Sequence, residues 1–133
     1  MHEKRIEIRW RDMDAYRHVN NSVYLTYLEE ARDEWLESVL GSGQAIWDYV
    51  LARVAIDFRR ELTQEDDVIV ARCRLDRIGT SSIRTHEELL KLDGTLVAEA
   101  EAVLVARELG AGASRPLTEA EREAFERTRD AAV

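Results

Sequence analysis

Between Arg9 and Arg32 the chain reads RWRDMDAYRHVNNSVYLTYLEEAR, and its middle concentrates Asp12, Asp14, His18, Asn20 and Asn21. Two carboxylates, an imidazole and two amides so close together are unusual for one connecting segment. A carboxylate can attack a carbonyl directly or take a proton from water. The first turn of a helix offers unpaired backbone N–H groups and a partial positive charge, which suit an oxyanion developing on that carbonyl. Asp14 is placed for either carboxylate role. Asp12 reads as a structural or capping residue. Asn20 and Asn21 are good helix caps in their own right. His18 reads either as a hydrogen-bonding brace of the loop or as a direct participant.

Two elements must position this loop. Before it, Ile6, Ile8 and Trp10 alternate with Glu7, Arg9 and Arg11, the period-2 pattern of a half-buried strand. After it the period changes: Tyr24, Leu28, Ala31, Trp35 and Val39 recur every three or four residues, predicting an amphipathic helix of about five turns. Asn20 and Asn21 mark its start and Gly41-Ser42-Gly43 its end. Ala45 to Val50 reads as a short helical turn. Strand patterns follow at Val54 to Phe58, Val68 to Leu75, Ser82 to Leu92 and Thr95 to Ala106, with Asp93-Gly94 as a hairpin turn. Leu117, Thr118 and Glu121 form a staple and capping box that open a terminal helix. The order predicts one α+β domain over residues 1–133, with an antiparallel sheet of about five strands covering one face of the long helix. Long strand edges need a partner, so a homodimer or homotetramer is expected.

Composition narrows the function classes. With 133 residues, 45% of them hydrophobic and 35% charged, the chain can build a single ordered core. No window approaches the ~20 apolar residues of a membrane span, and the N-terminus leads directly into a charged strand, so the protein is expected in the cytoplasm. A net charge of −8 argues against nucleic acid as a partner. The lone Cys73 supports neither a disulfide nor a multi-cysteine metal site, and no histidine spacing predicts a metal ligand set.

The Arg9–Arg32 segment resembles the hot-dog thioesterase superfamily, in the branch of 4-hydroxybenzoyl-CoA thioesterase, the YbgC-type acyl-CoA thioesterases and the plant acyl-carrier-protein thioesterases. The resemblance rests on a strand ending in Asp-x-Asp, on His-Val-Asn-Asn, on a tyrosine three residues later and on a long helix with Glu-x-Ala-Arg at Glu29 to Arg32. It implies a helix wrapped by the sheet, two subunits joined into one continuous sheet, and active sites at their interface. It also implies Asp14 as the catalytic carboxylate, acting as base or nucleophile with a backbone-amide oxyanion hole and no cofactor. The substrate implied is an acyl-CoA or acyl-carrier-protein thioester. His18, Asn20 and Asn21 match the loop positions of that branch, where relatives carry Tyr or His at the place of Asn21 and an Asn at the place of Tyr16.

The same resemblance makes Arg59, Arg60, Arg77 and Arg84 candidates for the phosphates of coenzyme A, converging at one rim of the sheet. The alternative reading makes them strand-face partners of acidic neighbours. Two other functions compete with hydrolysis: a hydratase or dehydratase of the same fold, and a non-catalytic acyl-CoA-binding domain. Asp14 and His18 are four residues apart, against five in the usual hydratase loop, which ranks the hydratase lower. A sensor would normally add a DNA-binding segment, for which this chain has no room.

Overall fold

The computed structural model describes residues 1–41, 48–108 and 112–130. Strand β1 spans His2–Glu7, helix α1 Asn21–Leu40, β2 Tyr49–Phe58, β3 Val68–Ile78, β4 Ser82–Lys91, β5 Leu96–Ala106 and helix α2 Glu119–Asp130. Of the helical turn expected over Ala45 to Val50, the residues up to Trp47 lie outside the described ones, and Tyr49 and Val50 are instead the start of β2, paired with Ala106 and Val105.

All strand pairings are antiparallel, in the order β1-β3-β4-β5-β2. The expected α+β arrangement of one long helix against five strands is therefore present. The alternation on β3 to β5 turns Ala71, Leu89, Ala98 and Ala100 onto α1, where they pack with Leu28 and Ala31. Alanines on both sides let the helix lie close to the sheet. A second apolar cluster, with Trp35, Tyr49, Leu104 and Phe125, seats α2 against the other end. Each helix begins as its sequence signals predict. The Asn20 side chain caps α1, and Thr118 and Glu121 exchange hydrogen bonds of 2.8 and 3.1 Å ahead of α2. No helix among the described residues is long and apolar enough to cross a membrane.

Between the two clusters lies a buried polar knot. Arg32 donates two hydrogen bonds of 2.8 Å to Glu87, and the Thr85 hydroxyl donates a third to the same carboxylate at 2.6 Å. Both charged side chains are almost fully buried, so each is held by the other. Burial pushes the adjacent Cys73 thiol pKa up, and the Glu87 charge pushes it further, so this cysteine is no nucleophile.

One expectation about β1 is corrected. Ile6 and Ile8 are buried as predicted, but Trp10 is 78% exposed. The strand ends at Glu7, and a 3-10 turn over Trp10–Asp12 swings the next side chains out of the alternation.

Candidate active site

The loop after this turn is a miniature hairpin. Met13 and Val19 form an antiparallel bridge, and the Asp14 N–H donates to the His18 carbonyl at 3.2 Å. Inside it the Arg17 N–H donates to the Asp14 carbonyl at 3.0 Å, and Arg17 takes a φ of +68°. That left-handed conformation costs a non-glycine residue on the order of 1 kcal/mol. The loop is tied to its surroundings by Val19 N–H to the Leu62 carbonyl (2.8 Å) and Asn20 N–H to the Asp12 carbonyl (3.0 Å).

The two aspartates do different work. Asp12 is 1% exposed. Its carboxylate accepts from the Tyr27 hydroxyl at 2.6 Å, from the Arg9 backbone N–H at 2.9 Å and from the Arg9 guanidinium at 2.9 and 3.1 Å. Burial alone would raise its pKa, but the Tyr27 and Arg9 donors outweigh it and hold the carboxyl below its ordinary value. Asp12 is thus a pin between the end of β1 and α1.

Asp14 is only partly buried. One of its oxygens accepts the Tyr16 backbone N–H at 2.9 Å, the bond of an Asx turn. The other accepts the Asn20 side-chain amide at 3.0 Å. The same Asn20 side chain turns its oxygen to the Ser22 N–H (2.9 Å) and the Ser22 hydroxyl (2.6 Å). One amide therefore caps the helix and orients the carboxylate. With Ser22 capped and the Val23 N–H bonded to the Asn20 carbonyl at 2.9 Å, the Asn21 amide is left at the helix start without an acceptor among the described residues.

Two grooves adjoin the loop, and Asp14 lines the first of them. One, of about 540 Å³, is lined by Trp10, Arg11, Met13, Asp14, Arg17 and Gln64. The other, of about 260 Å³, is lined by His18, Asn21, Tyr24, Phe58, Arg59 and Arg60. His18 is half-exposed there, with Nε2 3.7 Å from the Glu61 carboxylate. The Tyr24 ring meets Phe58 edge-on at 5.2 Å, and its hydroxyl donates to the Arg60 carbonyl at 3.0 Å, anchoring the end of β2 beside the helix start.

Asp14 and Asn20 are thus in contact, and His18, Asn21, Arg59 and Arg60 share the adjoining groove. The other two arginines are elsewhere. Arg84 stands opposite Arg77 on β3 and opposite Val103 on β5, whereas Arg59 bonds to Val97. From Val97 to Val103 the strand runs about 20 Å at ~3.4 Å per residue. The expected convergence of all four at one rim is therefore not met within a chain, because β2 ends where the β3–β4 hairpin has yet to turn. Arg84 lies 3.9 Å from Glu101, and Arg59 lies 3.4 Å from Glu99 and 3.7 Å from Asp57, which gives the strand-face reading a share. Among the described residues no three His, Cys, Asp or Glu side chains are grouped to hold a metal ion.

The residue pattern does not single out Trp10 and Met13, which line the groove beside Asp14. The signal available is a tryptophan standing just before a polar loop, where the strand pattern assigns it to the core.

The family model of the thioesterase-like superfamily matches residues 8–125. The chain is 31% identical over 104 residues to the long-chain acyl-CoA thioesterase FadM of Escherichia coli (strain K12), covering 74% of this chain and 76% of that protein. A crystal structure of a thioesterase from Thermus thermophilus, complexed with coenzyme A and Zn, superposes with a TM-score of 0.88 at 30% identity, covering 97% of this chain and 94% of the other. The probable thioesterase YbaW from Escherichia coli gives a TM-score of 0.81 at 27% identity, covering 96% and 98%.

Proposed function

Because the chain belongs to the thioesterase-like superfamily, with the hot-dog fold of that family, we propose that it hydrolyses an acyl-CoA or acyl-carrier-protein thioester to the free acid and thiol. The observation that carries this reading is the Asn20 amide, which joins the Asp14 carboxylate to the N-terminus of α1. A carbonyl held over the helix start meets the free Asn21 amide at its oxygen. Asp14 then either attacks the carbonyl carbon, breaking the C–S bond and expelling the thiolate to leave an anhydride that water cleaves, or takes a proton from a water that attacks the carbonyl carbon and expels the thiolate; on both routes the thiolate is released as the thiol by taking up a proton from water. In both routes the negative charge that builds on oxygen is met by a donor already in place. Arg59 and Arg60, at the mouth of the groove beside Asn21, are the arginines best situated for the phosphates of the thiol half.

The chain works as a homo-oligomer in this reading. Strand β2 is an edge of the sheet, ten residues long, and exposes Leu51 and Phe58. Its unpaired backbone groups suit a second copy of itself.

Free-thiol release from a panel of acyl-CoAs tests the activity and separates it from hydration of a double bond and from mere binding. Asp14→Asn retains the Asx turn and is expected to lower turnover at least ~100-fold, the scale for a positioned base or nucleophile, with normal melting. Turnover within a few-fold of the wild type would remove Asp14 from the mechanism.

A further inference from the structure

The alternation that turns Ala71, Leu89 and Ala100 onto α1 turns a second set of side chains to the opposite face of the sheet, away from both helices. Strand register groups them into rows that cross the strands. Arg77 on β3 stands opposite Arg84 on β4, Arg84 opposite Val103 on β5, and Val103 opposite Arg53 on β2, so one row carries three arginines. In another, Glu88 stands opposite Glu99 and Glu99 opposite Asp57, which makes three carboxylates. These rows are about 14 Å apart at ~3.4 Å per residue. Arg74, His86 and Glu101 form the row between them. Like charges directly opposite one another on a sheet are destabilising, and here Arg77 faces Arg84 while Glu99 faces both Glu88 and Asp57. Partners within the chain offset only part of this. Arg84 has Glu101 at 3.9 Å, Glu99 has His86 at 3.7 Å, and Asp57 and Glu99 share Arg59 at 3.7 and 3.4 Å. Arg72, at the β3 end of the carboxylate row, is taken by Glu3 at 2.7 Å. Arg53, Arg77 and Glu88 make no ion pair among the described residues.

We infer that this face docks a second copy of the chain, turned about a two-fold axis that lies along the Arg74–His86–Glu101 row. That rotation exchanges the outer rows. The arginines of each copy lie over the carboxylates of the other, and they do so twice, because a two-fold contact uses the same patch on both chains. A partner of one charge sign would match one row and be repelled by the other, whereas a second copy carries both rows in the required order. Packed sheets stand ~10 Å apart, a gap that arginine and glutamate side chains bridge from the two sides. Five strands at ~4.8 Å spacing, four of them ten or eleven residues long, offer on the order of 800 Å² per copy, the size of a stable interface. The face is separate from the β2 edge, so the contact joins pairs formed along β2 into tetramers, and it does not depend on the reaction at Asp14.

The test is light scattering at micromolar concentration on the wild type, on Arg77→Glu/Arg84→Glu, on Glu88→Arg/Glu99→Arg and on an equal mixture of the two variants. Each variant carries a face of mostly one sign and is expected to show half the wild-type mass. The mixture is expected to recover the full mass, because an acidic face then meets a basic one. The halving is from four chains to two if β2 pairs, and from two to one if it does not, so the docking is read apart from the β2 edge. A second readout leaves the charge rows intact. His86→Cys puts a thiol on the axis, and the chain's own cysteine, Cys73, is buried. The short reagent bismaleimidoethane is expected to join these chains in pairs through position 86. Across a β2 pairing the same two thiols lie five strand spacings apart, ~24 Å, beyond its reach. A wild type already at the variants' mass, a mixture that stays at the halved mass, or His86→Cys protein that the reagent leaves as single chains overturns the docking.

Discussion

Asn20 does two jobs with one side chain, and they can be separated. Its oxygen caps α1 through Ser22 and its nitrogen holds Asp14. Serine is about as good a cap as asparagine, but its hydroxyl is too short to orient the neighbouring carboxylate. In Asn20→Ser the melting temperature is expected to change little, whereas kcat falls about tenfold or more, because misplacing a reacting group by ~1 Å is costly. A parallel loss of stability and activity would make Asn20 a cap and nothing else. Asp12 illustrates the opposite assignment: with its oxygens taken by Tyr27 and Arg9, it has no capacity left for substrate. The two aspartates are told apart by burial and partners, which a pattern of Asp-x-Asp does not contain.

Among the elements, α2 is attached by a network that responds to acid. Glu121 accepts from Arg115 at 2.7 and 3.0 Å, from the Tyr49 hydroxyl at 2.6 Å and from the Thr118 N–H at 2.8 Å. Burial would raise its pKa, but the Arg115, Thr118 and Tyr49 donors more than offset that and lower it from 4.5 to about 2. A carboxyl depressed in the folded state stabilises it fully above the unfolded value of 4.5, and the contribution fades as pH falls through 4.5 toward 2. At ~1.4 kcal/mol for each pH unit this is about 3 kcal/mol, and the side chain is only 14% exposed. Thermal melts of Glu121→Gln and the wild type are expected to differ most at neutral pH and to approach each other between pH 4.5 and 2. A constant gap across that range would assign the loss to packing rather than to charge. The ends of the secondary elements themselves are legible in the sequence: Asn20, Gly41, Asp93-Gly94 and the Thr118–Glu121 box each act on the backbone within a few residues. Alternation misplaces Trp10 because its pattern runs three residues past the end of β1, and nothing local marks a 3-10 turn there.

At the scale of the whole molecule, the exposed β2 edge and the partly open site point to assembly. Light scattering at micromolar concentration is expected to give at least twice the chain's 15.3 kDa. A monomer mass would contradict pairing along β2. The arginines show why the whole molecule had to be seen. Arg59, Arg60, Arg77 and Arg84 are near in sequence, but an antiparallel sheet sends successive strands to opposite ends, so only the first two adjoin the site.

What the sequence determined by itself was everything written in short-range contacts: the change of period from two to 3.6 around the loop, the caps of both helices, and an Asp14–Asn20 loop whose hydrogen bonds span two to six residues. Tertiary structure decided the rest. Tyr27 reaches Asp12 across 15 residues, and Arg32 reaches Glu87 across 55. Such pairings depend on strand register and on the angle at which α1 crosses the sheet, and these follow from packing the entire core at once. The groove lined by His18, Asn21, Tyr24, Phe58 and Arg60 belongs to the same class, since β2, the loop and the start of α1 meet there only after the chain has closed on itself.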